Sequence, residues 1–76
     1  MSYSDLLSKY KQQESINKQQ LILSETDYNR DKTLFESKAI SAREFENKKK
    51  EYLSALYSNE QIKITVSNTY IQLNSI

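Results

Sequence analysis

The chain has 76 residues, with 11 Lys and Arg against 10 Asp and Glu, and it contains no His, Cys, Gly or Pro. A net charge of +1 gives no strong field toward nucleic acid or an acidic lipid surface. With no imidazole and no thiol there is no such base or nucleophile, no disulfide framework and no ordinary transition-metal site. The mean hydropathy of −0.81 is too low for a chain that surrounds a globular centre, and at this length a single core is marginal in any case. The missing Gly and Pro leave little chemistry for tight turns. A very few long helices with minimal connections are what remains.

The N-terminal "MSYSDLLSKYK" lacks the apolar stretch of a signal peptide. From Tyr3 onward a 4-3 spacing runs through Leu7, Tyr10, Glu14, Asn17, Leu21, Ser24, Tyr28, Asp31 and Phe35. A stripe of period 3.5 is what two helices need to pack along one line rather than around a broad core. The first helix is therefore expected over about residues 3–37.

The next stretch, "TLFESKAISAREFE" (33–46), interrupts this rod without any helix-breaking residue. "SARE" (41–44) fits a capping box, in which Ser41 accepts from the Glu44 N–H and Glu44 reaches back to the Ser41 N–H. Ile40 and Phe45 stand at the two positions of a hydrophobic staple. One non-glycine residue near Ser37 to Ala39 is expected in the left-handed region, at about 1–2 kcal/mol. The turn is placed at about 38–40, made by a firm restart of the second helix.

That second helix is expected over about 41–74, with fraying at its end. Its seam reads Phe45, Lys48, Tyr52, Ala55, Asn59, Ile62, Val66, Thr69, Leu73 and Ile76. The β-branched "KITVSNTYI" (63–71) has the composition of a strand, but the seam runs straight through it and favours helix. "ITVSNTYIQLNSI" (64–76) is too short and too polar to span a membrane, so no direct insertion of this segment is expected. Lys48, Lys49 and Lys50 lie among Glu44, Glu46 and Glu51 and read as a solvated face, not a nucleic-acid patch.

Asp5–Lys9, Glu14–Lys18, Glu44–Lys48 and Glu46–Lys50 each place the acid four residues before the base, worth about 0.2–0.5 kcal/mol per pair. A short connection makes the helices antiparallel. The fold class is thus all-α, a two-helix antiparallel coiled-coil hairpin with arms of about 50 Å. Pairing about the turn sets Phe35 against Phe45, Tyr28 against Tyr52 and Leu7 near Leu73. Such a hairpin buries little and is expected to self-associate.

Enzymatic readings find no support. Carboxylates are scattered along exposed faces, a hairpin encloses no pocket, and no Gly-rich loop is present. No cofactor and no bound metal are expected. Asp27 and Asp31, four apart, could touch one cation, although that spacing is common on a solvated face.

What remains is the corner. Arg30, Leu34 and Ser41 are separated by four and then seven residues and straddle the turn. With them, "YNRDKTLFESKAISAREFENKKKEY" (28–52) carries a Tyr shortly before the Arg, an Ala-Ile-Ser at the turn, and an acidic-aromatic pair after the cap. This closely resembles the Arg-Leu-Ser tip of the periplasmic adaptor proteins, or membrane fusion proteins of the HlyD type, which serve tripartite efflux pumps and type I secretion systems. The specific part covers about 25 residues, and the arms suit one complete hairpin excised from between the two halves of a lipoyl domain. One departure is Lys38, where many relatives carry Gly just before the Ala-Ile-Ser.

The resemblance implies a transport role in the periplasm of a Gram-negative bacterium. The hairpin would dock tip to tip on a TolC-like outer-membrane channel, side by side with its copies. The rest of a larger parent protein would reach the inner-membrane transporter. It also implies that Arg30, Leu34 and Ser41 form the protein-binding tip: a planar donor fork, an apolar knob and a hydroxyl.

Against this stand plainer roles: Ser41 as an N-cap only, Leu34 as core, and Arg30 as a surface charge paired with Asp27 or Asp31. Phe35 already fills the seam, which frees Leu34 to face outward. The alternative reading of the whole is a structural coiled-coil module for oligomerisation without a docking tip. A third is a small cytosolic helical regulator that starts at Met1.

Overall fold

The structure is a computed structural model and describes residues 2–75. It consists of α1 (Tyr3–Glu36) and α2 (Ala42–Asn74), folded back on one another as an all-α hairpin. Its extents are 57 × 15 × 14 Å, so the molecule is a rod two helices wide. Among the described residues there is no strand; "KITVSNTYI" is helical and α2 continues to Asn74.

Each helix starts on a serine. The Ser2 hydroxyl accepts from the Asp5 N–H at 3.2 Å, and Ser41 accepts from the Glu44 N–H at 3.1 Å. Both caps have extended backbone and satisfy a donor that the first turn leaves without a partner. The expected capping box is half made, because Glu44 gives no hydrogen bond back to Ser41 among the described residues. Its carboxylate still lies in the first turn, where the helix dipole favours negative charge.

The end of α1 answers how a helix stops without glycine. The Ala39 N–H donates to the Leu34 carbonyl at 2.8 Å, and the Lys38 N–H donates to the Phe35 carbonyl at 2.9 Å. These two bonds make a Schellman motif with Ser37 as C-cap. The motif demands a left-handed residue after the cap. That residue is Lys38, with φ at 63°. Lys38 thus stands in the left-handed conformation that glycine adopts without penalty. The Ser37 hydroxyl adds a bond to the Leu34 carbonyl at 2.9 Å.

Along the arms, the two 4-3 stripes face each other. Every seam residue from Leu7 to Asp31 on α1 and from Phe45 to Leu73 on α2 is at least half-buried, while Tyr3 and Phe35 at the stripe ends stay more open. Ile76, the last residue of the expected seam, lies outside the described residues.

Near the turn the seam is a ladder of four aromatic rings. Phe35 stacks on Phe45 at 5.0 Å, Phe45 on Tyr28 at 5.6 Å, and Tyr28 on Tyr52 at 5.1 Å. Each stacked pair contributes about 0.5–1.5 kcal/mol beyond its buried area. The ladder pairs Phe35 with Phe45 and Tyr28 with Tyr52 across the seam, as the spacing about the turn predicts.

Away from the turn the seam becomes polar. The Asn17 amide donates to the Ser58 carbonyl at 3.3 Å, the one hydrogen bond between the helices among the described residues. Gln13 donates to the other end of that amide at 2.7 Å and fixes its orientation. Asn59 is only 4 % exposed, yet its side-chain oxygen has no partner. Among the described residues no large side chain is fully enclosed, as expected where only two helices meet.

The four expected acid-before-base pairs are not formed. Lys48 pairs with Glu51 at 3.4 Å and Lys63 with Glu60 at 3.4 Å, both at three-residue spacing. Lys48 belongs to the seam, so its stem lies along the interface and its ammonium emerges beside Glu51. Exposed pairs of either spacing are worth a few tenths of a kcal/mol, so small differences in rotamer decide between them. Within the β-branched run the Thr65 and Thr69 hydroxyls donate to carbonyls four residues back, at 3.1 and 2.8 Å, so neither is left without a partner.

Candidate docking apex

The bend puts a specific set of side chains at one end of the rod. α1 ends at Glu36 and α2 begins at Ala42. Leu34 therefore lies about 3 Å, and Arg30 about 9 Å, below the last helical residue at 1.5 Å rise per residue. Ser41 is the residue that opens α2. All three fall within two helical turns of the apex, on a segment whose position the aromatic ladder and the two caps fix from both sides.

Ser41 is exposed and its oxygen caps α2, so the capping role is real. Capping uses it as an acceptor and leaves the hydroxyl hydrogen uncommitted among the described residues. The two roles considered for this residue are compatible.

Leu34 is half-buried, not free-standing. It flanks the seam next to Phe35, and its carbonyl takes both the Ala39 and Ser37 bonds that close the helix. The expectation that Phe35 frees Leu34 to face outward therefore holds only for part of its surface. Phe35 itself is the more open of the two.

Arg30 is well exposed, with 60 % of its side chain accessible. It is also held. One terminal nitrogen lies 3.2 Å from an oxygen of Asp27, and its Nε–H donates to Asp31 at 3.4 Å. The plainer role considered for Arg30, a surface charge paired with Asp27 or Asp31, is thus present, and Arg30 pairs with both. The Asp31 side chain is only 11 % exposed, which makes it the firmer of the two anchors. The spacing of Asp27 and Asp31 gave this signal in the sequence. The burial of Asp31 follows from its place on the 4-3 stripe.

Elsewhere the rod offers little chemistry. Among the described residues no group of three His, Cys, Asp or Glu is placed to hold a metal ion. No described helix is long and apolar enough to cross a membrane. Open grooves flank the seam at mid-rod, one beside Asn17, Ser24 and Ser58 and another beside Glu14, Leu21 and Asn59, and neither reaches the apex. The arms carry exposed apolar residues, among them Leu23, Tyr57, Ile64 and Ile71. Tyr57, Ile64 and Ile71 recur every seven residues on the side of α2 opposite the seam. Compared with known proteins, the chain matches no family model, no curated protein and no solved structure.

Proposed function

We propose that this chain is the hairpin of a periplasmic adaptor protein of the membrane fusion class. It docks through its apex on a TolC-like outer-membrane channel in a tripartite efflux pump or type I secretion system. The observation that carries the reading is the placement of Arg30, Leu34 and Ser41 within two turns of one capped bend, with Arg30 and Ser41 exposed. Each keeps something to offer a partner: free guanidinium N–H groups, part of an apolar surface, and a hydroxyl hydrogen. The rest of a larger parent protein would reach the inner-membrane transporter, and the arms would lie against neighbouring copies.

The test uses Arg30→Ala, Leu34→Ala and Ser41→Ala variants. The reading expects helical circular dichroism to be retained while channel binding and export are lost. Unchanged binding and export in all three would remove the apex assignment.

A second reading is favoured by the repeated exposed residues Tyr57, Ile64 and Ile71. On that reading the chain is a structural coiled-coil module that associates through its arms and has no docking tip. Substituting those three residues by Ser would then abolish association, while apex variants would change nothing.

A further inference from the structure

The Arg30 guanidinium is held by two carboxylates and still points a free edge at solvent. Nε–H is engaged by Asp31 and one terminal nitrogen faces Asp27, whereas the other terminal nitrogen has no partner among the described residues. An unheld arginine samples many rotamers, and immobilising it on binding weakens affinity. Here much of that ordering is already done in the free chain by groups on the same helix.

The clamp has an electrostatic consequence as well. Asp27, Arg30 and Asp31 together carry a formal charge of −1, within an end of the hairpin (27–53) that holds six acids against seven bases. The apex therefore presents an oriented donor fork whose own charge is offset by the two carboxylates that hold it.

We propose that Asp27 and Asp31 are positioning residues of the apex, an inference that rests on the docking reading above. They orient Arg30 for its partner and mask its charge, so that docking depends on hydrogen-bond geometry and little on salt. Asp31, buried in the seam, fixes the Nε edge, and the more exposed Asp27 limits rotation at the far end.

The experiment measures binding of the full chain to a purified TolC-like channel from the same genome, at low and high salt, with melting temperatures recorded for every variant. Native binding is expected to change less than about twofold between 50 and 500 mM salt, because the clamp leaves no net attraction to screen. Asp27→Asn with Asp31→Asn is expected to weaken binding about three- to tenfold at unchanged melting temperature. The same variant should gain a salt dependence, because the guanidinium charge is now bare. Arg30→Lys should bind no better than Arg30→Ala, since a point charge cannot replace a fork.

Unchanged or tighter binding by the double variant would overturn the clamp, as would a loss without the new salt dependence or one that follows a fall in melting temperature. If Arg30→Ala itself binds normally, the docking reading fails and the clamp with it. If Arg30→Ala loses binding and the double variant does not, only the clamp fails.

Discussion

Lys38→Gly isolates the one left-handed position among the described residues. Lys38 holds a φ of 63°, a conformation that crowds Cβ against the carbonyl and costs an L-residue about 1–2 kcal/mol. Glycine removes that crowding but brings a more flexible unfolded chain, which takes back about 0.4–1 kcal/mol. The net expectation is a stabilisation of about 1 kcal/mol. For a chain of this size that raises the melting temperature by about 4–8 °C. Both Schellman bonds are made by backbone atoms, so the substitution leaves them intact. The assay is thermal and urea unfolding followed by circular dichroism, at one fixed protein concentration because association shifts the midpoint. Lys38→Ala is the control: it removes the lysine side chain but keeps Cβ, and should stay within about 0.5 kcal/mol of the parent. An equal gain from Ala, or no gain from Gly, would refute the assignment of strain to this position.

The other stability predictions follow from single groups. Ser41→Ala removes the α2 cap and should cost about 1 kcal/mol in urea unfolding, whereas Ser41→Asp should retain most of that stability. Asn59→Leu replaces a buried amide whose oxygen has no partner, and should raise stability by about 1–3 kcal/mol. A seam amide also discourages alternative pairings, so the same variant should show more oligomeric states by analytical ultracentrifugation. Tyr28→Ala deletes two ring contacts at once and should lower stability by about 2–3 kcal/mol while removing most of the near-ultraviolet dichroism.

The hairpin was legible because its two strongest signals are periodic or local. The 4-3 stripes depend only on helix geometry, and residues as unlike as Leu7, Asn17 and Thr69 still fall on the interface where the spacing puts them. Ser41 is a cap by residue type and position, and the need for a left-handed residue follows from any short bend.

Other features depend on side-chain choices that spacing does not determine. The ion pairs of Lys48 and Lys63 are settled by differences of a few tenths of a kcal/mol between neighbouring carboxylates. Leu34 sits at the margin of the seam, where a one-letter reading as inside or outside has no good answer. Arg30 and Asp31 are adjacent in sequence and on different faces, so their pairing depends on how far the guanidinium folds back over the helix.

The central claim is that the bend, not the arms, meets the partner. Single cysteines at Ala39 in the bend and at Gln19 and Gln61 on the arms can be tested for cross-linking to a TolC-like channel in cells. All three positions are exposed. The account predicts a cross-link from Ala39→Cys that disappears when Arg30→Ala is added, and none from either arm position. Cross-links from the arms with none from Ala39→Cys would contradict it.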